Sequence, residues 1–316
     1  MLLHIALLII GFVILIYGAN FLVDGGASLA HRLKVSAMVI GLTIVAFGTS
    51  APELVVNLVS AIEGNSAIAL GNVIGSNIFN ILAILGISAF IIPLSVNKMT
   101  TWIEIPLALF AASLLFFLTN DTPSGLISQT EGICLLGFFM VFLFYTLALA
   151  KYGGAGDGDG IKIKNYSIWK SVLFILLGLA GLIVGGRMLV NGAVFIAQYF
   201  EISERIIGLT IVSIGTSLPE LATSIIAARK KNADIAIGNV VGSNIFNTFF
   251  ILGASATITP LEVPLGSITD LTVNVIASAL LFLFIFTGSG RKINRWEGGI
   301  LLLLYLAYLA LILFKP

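Results

Sequence analysis

Glu53 and Glu220 stand in apolar stretches, where an ionised carboxylate costs roughly 2.5 to 3.5 kcal/mol on insertion scales. A threonine precedes each by one helical turn, Thr49 or Thr216, so hydroxyl and carboxylate share a helix face. A second polar series follows: Asn72, Ser76 and Asn80 after the first glutamate, Asn239, Ser243 and Asn247 after the second, each spaced i, i+4, i+8. Carboxylates, hydroxyls and amide oxygens without imidazole or thiolate make an all-oxygen donor set. Calcium takes six to eight such ligands at about 2.3 to 2.6 Å, whereas softer transition metals prefer nitrogen or sulfur. Asn72 and Asn239 serve equally well as ligands or as interhelical hydrogen bonders. Ser76 and Ser243, in register with Asn80 and Asn247, read as ligands before packing residues.

The two sets are copies. GLTIVAFGTSAPEL at 41 to 54 and GNVIGSNIFN at 71 to 80 return as GLTIVSIGTSLPEL at 208 to 221 and GNVVGSNIFN at 238 to 247. Both pairs share an offset of 167 residues, which holds without gaps from Gly11 and Gly178 to Pro93 and Pro260. Pro52 and Pro219 cannot donate a backbone hydrogen bond and crowd the carbonyl four residues earlier, at Gly48 and Gly215, so each motif predicts a helix broken beside its glutamate. Two bare carboxylates meeting at a common site repel each other, and one divalent ion or two monovalent ions balance them. A pocket that accepts either filling but resists being empty is the physical basis of coupled exchange.

The elements that position these groups are membrane helices. Of the 316 residues 59% are hydrophobic and 10% charged, with a mean hydropathy of +1.11, against about 25% charged in soluble domains. Runs of the roughly 20 residues needed to span a bilayer occur near 2 to 23, 37 to 62, 66 to 92, 102 to 119, 131 to 150, 170 to 195, 205 to 228, 234 to 258, 268 to 288 and 297 to 314. The expected fold is an all-α integral membrane protein of ten transmembrane helices. The first run is too long for a cleaved signal peptide and takes part in the repeat, so it is read as mature structure. Five spans per copy is an odd number, so the copies must be inverted in the bilayer, residues 1–150 against 169–316, joined by a linker over 151–168. Inverted repeats place a site at their interface near the midplane, built from broken helices.

Assigning loops alternately to two sides puts Arg32, Lys34, Lys98, Lys151, Lys162, Lys164, Lys170, Arg229, Lys230, Lys231, Arg291, Lys292 and Arg295 together. That side is cytoplasmic by the positive-inside rule, and both termini face outward from the cell membrane. The net charge of +1 gives no basis for nucleic-acid binding, and no sequence feature fixes an oligomeric state. Cys134, the single cysteine, reads as packing; His4 and His31 read as interfacial. Gly71 with Gly75, and Gly238 with Gly242, have the spacing of close helix packing. Asp157 and Asp159 in the linker lack the glutamate of a calcium loop, and Gly154 to Asp157 only superficially matches an intramembrane protease signature. Arg187 corresponds to Asn20 in the first copy and has no assigned role. No nucleophile and base, cofactor loop or metal-bound water site can be assembled, so no enzyme and no cofactor is expected.

GTSAPE with GNVIGSNIFN, and GTSLPE with GNVVGSNIFN, resemble the two alpha repeats of the cation/calcium antiporter superfamily, best known from the sodium/calcium exchangers. The resemblance covers nearly the whole chain. It implies that the first and sixth helices slide as a bundle against the other eight, with Gly11, Gly18, Gly178, Gly181, Gly185 and Gly186 smoothing their faces. It also implies ion ligation by Thr49, Glu53, Ser76, Asn80, Thr216, Glu220, Ser243 and Asn247, with backbone carbonyls near Ala46 and Ser213. The transported ions would be Ca2+ and Na+, with H+ as the alternative counter-ion and a passive cation channel as a more distant reading. Many sodium/calcium exchangers carry aspartate where this chain has Asn247, so the site here has a formal charge of −2 instead of −3.

Overall fold

The structure is a computed structural model, and it describes residues 2–120, 125–152, 165–199, 213–264, 267–287 and 290–314. The described residues are helical almost throughout. The first copy contains α1 (Leu2–Leu33), α2 (Ala37–Thr49), α3 (Ala51–Ile62), α4 (Ser66–Ile91), α5 (Thr100–Thr119) and α6 (Gln129–Tyr152). The second contains α7 (Ile168–Tyr199), α8 (Ser213–Thr216), α9 (Leu218–Arg229), α10 (Ala233–Ile258), α11 (Ser267–Phe284) and α12 (Arg295–Phe314). Among the described residues eight helices are long and apolar enough to cross a membrane, and the bent pair α2 and α3 brings the number to nine. The remaining expected span, 205 to 228, begins outside the described residues, as do Asp157 and Asp159 of the linker.

Local chemistry sets the helix boundaries in matching ways. Asn65 accepts from Ile68 N–H at 3.3 Å to cap α4, and its counterpart Asn232 accepts from Ile235 N–H at 3.2 Å to cap α10. The turn before each cap needs a left-handed residue, supplied by Gly64 (φ 74°) in one copy and by Lys231 (φ 59°) in the other. Ser128 with Glu131 forms a capping box at the start of α6; Glu297 binds back to Asn294 in the same way at the start of α12.

Two short antiparallel pairs cross between the copies. Leu94–Ser95 pairs with Lys292–Ile293, and Leu126–Ile127 pairs with Leu261–Glu262. The centre of the bundle is α4 and α10, which are enclosed on nearly all sides and are apolar around most of their circumference, as buried helices are.

Glycine governs the closest approaches. A Cβ on Gly18 of α1 would lie 2.8 Å from Leu182 N of α7, and one on Gly178 would lie 2.6 Å from Leu22 N, so α1 and α7 meet backbone to backbone. Gly238 and Gly242 pack against Gly41 and Leu42 of α2 as their spacing predicts. Gly71 differs: it is exposed, with nothing within 4 Å of a Cβ built there. Cys134 also differs, lying exposed on the outer face of α6 instead of in the packing.

Candidate functional site

Both motif helices break where the prolines predict. Ser50 separates α2 from α3 with φ −81° and ψ 9°, and the two segments are bent by 48°. Ser217, with φ −90° and ψ 8°, separates α8 from α9. Pro52 and Pro219 each sit in the first turn after the break, where the missing N–H removes no helical bond. Glu53 and Glu220 follow directly and point into the protein; both are buried, at 1% and 0% exposure.

Each glutamate is held from the other copy. Ser50 Oγ donates to Glu220 Oε1 at 2.8 Å and lies 3.0 Å from Ser243 Oγ. Ser217 Oγ donates to Glu53 Oε1 at 2.9 Å and lies 3.0 Å from Ser76 Oγ. Oε2 of each glutamate has no hydrogen-bond partner. The two carboxyls are close enough to interact electrostatically, and among the described residues neither forms a salt bridge.

The asparagines divide into two kinds. Asn72 Nδ2 donates to Asn57 Oδ1 at 2.6 Å and to Glu53 O at 3.4 Å, while its Oδ1 accepts from Thr216 Oγ1 at 3.4 Å. Asn239 repeats this with Ser224 Oγ at 2.9 Å, Glu220 O at 3.2 Å and Thr49 Oγ1 at 3.0 Å. Their polar atoms tie the broken helices to α4 and α10. Thr49 Oγ1 also lies 3.3 Å from the Ala46 carbonyl. Ser213 opens α8.

Asn80 and Asn247 are held differently. Asn80 Nδ2 donates to Asn244 Oδ1 at 2.9 Å, and Asn247 Nδ2 donates to Asn77 Oδ1 at 3.1 Å. Asn77 Nδ2 in turn donates to Thr248 Oγ1 at 2.9 Å, and Asn244 Nδ2 to Asn77 O at 3.2 Å. This lattice fixes both amides and leaves Asn80 Oδ1 and Asn247 Oδ1 buried without partners. Both residues fall in π-helical turns, Phe79–Leu85 and Phe246–Ile251, a winding that recurs at functional sites. Four buried, unpaired oxygens therefore come from equivalent positions of the two copies. Unsatisfied buried acceptors are costly, and a cation is the ligand that such oxygens suit.

The structure brings Thr49, Glu53, Asn72 and Ser76 together with Thr216, Glu220, Asn239 and Ser243 and joins Asn80 to Asn244 and Asn247 to Asn77; sequence reasoning did not single out Ser50, Ser217, Asn77 or Asn244. The signal was present, since each is a polar residue retained at the same place in both copies. A pocket between α3, α7 and α8, lined by Pro52, Gly186, Arg187, Thr216 and Pro219 among others, reaches both helix breaks.

The family model described as sodium/calcium exchanger protein matches residues 3–148 and 170–314. The inner membrane protein YrbG of Escherichia coli is 36% identical, with 99% of this chain and 97% of that protein aligned. The sodium/calcium exchanger MaX1 of Methanosarcina acetivorans is 32% identical, with 98% of each aligned. A solved structure of the sodium-calcium exchanger NCX_Mj soaked with 10 mM Na+ and zero Ca2+ superposes with a TM-score of 0.84 at 34% identity, covering 98% of both chains. With its repeated motifs, its apolar helices and these matches over nearly its full length, the chain belongs to the sodium/calcium exchanger protein family of multi-pass membrane transporters.

Proposed function

We propose that this protein is a secondary antiporter that exports calcium from the cytoplasm in exchange for sodium, carrying both ions through one midplane site by alternating access. The observation that carries this reading is the set of four buried, partnerless oxygens, Glu53 Oε2, Glu220 Oε2, Asn80 Oδ1 and Asn247 Oδ1. Thr49, Ser76, Thr216 and Ser243, the carbonyls near Ala46 and Ser213, and the backing residues Asn72 and Asn239 complete the ligand set. Oxygen donors alone favour hard cations, and two carboxylates balance either one calcium or two sodium ions.

The architecture that goes with this reading is ten helices in two inverted five-helix repeats, residues 1–150 and 169–316, about a cytoplasmic linker over 151–168. The reciprocal serine bonds and the crossed strand pairs support a two-fold relation between the repeats. The basic loops support a cell-membrane orientation with both termini outside.

Isotope uptake into proteoliposomes, with sodium, potassium, proton and calcium gradients imposed separately, tests the proposal. Calcium uptake driven by an outward sodium gradient is expected. Uptake that follows only a pH gradient, or that needs no counter-ion, would overturn it in favour of a proton-coupled exchanger or a channel.

A further inference from the structure

Glu104 is a second enclosed carboxylate, remote from the repeated motifs in sequence and absent from the hydrogen-bond network of the central site. It is fully buried in the first turn and a half of α5. Its Oε1 accepts from the Tyr145 hydroxyl of α6 at 2.5 Å, and its Oε2 has no hydrogen-bond partner. Thr100, four residues earlier in the π-wound start of α5, is equally buried. The Thr100 backbone N–H is taken by Asn97 Oδ1 at 2.9 Å, but its Oγ1 is without a partner. The spacing of four residues puts that hydroxyl on the same face of α5 as the Glu104 carboxyl. Asp234, in the first turn of α10, is also within electrostatic range of Glu104, and its Oδ1 accepts from Asn97 Nδ2 at 3.5 Å.

A structural explanation accounts for only part of this. In the second half Tyr308 OH donates to Asp270 Oδ1 at 2.9 Å, so a tyrosine joined to a carboxylate is a helix-to-helix tie used twice. Asp270 is only half-buried. Glu104 has no such access to solvent, and the tie satisfies one of its two oxygens. Among the described residues neither Glu104 nor Asp234 forms a salt bridge, and Lys98 and Lys231, beside the two segments in sequence, are exposed. Buried charges are ordinarily paired or bound to a metal. Here two enclosed oxygens one helical turn apart, Glu104 Oε2 and Thr100 Oγ1, both lack hydrogen-bond partners, and a second carboxylate, Asp234, is joined through Asn97 to the same turn.

We propose that Glu104, Thr100 and Asp234 form a second cation site, separate from the transport site, that takes a monovalent metal ion of sodium's type. The donors are all oxygen, which selects a hard cation. Calcium's six to eight oxygens exceed what the cluster offers; Asp234 is only half-buried and keeps its access to solvent, so one positive charge balances the single enclosed carboxylate, Glu104. The ion ties the start of α5 to the first turn of α10, five residues before Asn239. It therefore anchors the helix that carries Asn239, Ser243 and Asn247, and sodium acts on this protein as a structural ligand as well as a transported one.

The test uses the full chain carrying Glu53→Gln and Glu220→Gln, so the result does not depend on the central site binding ions. Sodium chloride is titrated against N-methylglucamine chloride at constant ionic strength without calcium, following the unfolding temperature and the binding of radioactive sodium. The expected result is a saturable rise in unfolding temperature, with one sodium bound per chain. Adding Glu104→Gln should abolish both, and adding Thr100→Val should weaken sodium binding by about tenfold, the scale of one lost ligand. The proposal is overturned if the double variant neither binds sodium nor is stabilised by it. It is equally overturned if the response survives Glu104→Gln, or if acidification stabilises the protein and sodium does not, which would assign a proton to Glu104. Should the Glu104→Gln protein fail to fold, Thr100→Val alone decides, because unchanged sodium affinity in that near-isosteric variant removes the site.

Discussion

Ser50 donates its hydroxyl to Glu220 across 170 residues of sequence, at 2.8 Å. The bond joins the helix break of one copy to the carboxylate of the other, and Ser217 returns it to Glu53 at 2.9 Å. A hydrogen bond to a charged group contributes about 1.5 to 3 kcal/mol. Replacing Ser50 or Ser217 by alanine should therefore raise the calcium concentration for half-maximal uptake by roughly ten- to a hundredfold. Because the two bonds are reciprocal, the two variants should behave alike. Calcium uptake measured over a concentration series checks this, and a change below about twofold in both would separate the serines from ion binding.

In the proposed site, Glu53→Gln or Glu220→Gln would remove one of the two charges that balance the cargo while keeping the side chain's size. Each substitution leaves a site of formal charge −1, which cannot neutralise a divalent ion. Each single variant should lose sodium-driven calcium uptake while remaining folded by size-exclusion chromatography. Full retained activity in either variant would take that glutamate out of the transport site.

In the proposed site Asn80 and Asn247 would contribute oxygens and no charge, so two sodium ions per calcium would balance the glutamate pair, and such a cycle would move no net charge. Sodium-driven calcium uptake should then be insensitive to an imposed membrane potential. Asn247→Asp adds a third carboxylate, allows a third sodium and should make uptake voltage-dependent. Strong voltage dependence in the unaltered protein would rule out the neutral cycle.

The positions of the carboxylates and the breaks beside them were legible in the sequence, because a buried charge is costly and proline cannot continue a hydrogen-bonded turn. What the sequence did not disclose has physical reasons. Ser50 and Ser217 precede proline-containing first turns, where serine ordinarily reads as a cap, yet neither makes a capping bond. The asparagine lattice depends on π-helical winding at Phe79–Leu85 and Phe246–Ile251, which shifts the face presented by every later residue and leaves no mark in a 3.6-residue pattern. Gly71 and Gly238 occupy equivalent positions but different surroundings, since the two copies do not meet the same neighbours. Glu104 escaped notice because it lies beyond the gapless part of the repeat, where no second copy draws attention to it.

Among the described residues Arg187 is the only charged side chain lining the pocket that reaches the helix breaks. A fixed positive charge there lowers the local concentration of a cation by a Boltzmann factor whose exponent scales with the cation's charge, the inverse of electrostatic focusing. Arg187→Gln should therefore accelerate calcium entry by the square of the factor by which it accelerates sodium entry. The effect should be largest at low ionic strength and shrink as the screening length falls toward about 8 Å at 0.15 M salt. Initial rates of sodium and calcium uptake from the pocket side, at two ionic strengths, measure both factors. Equal factors for the two ions would mean that the guanidinium acts by bulk instead of charge, and unchanged rates would place the ions' route elsewhere.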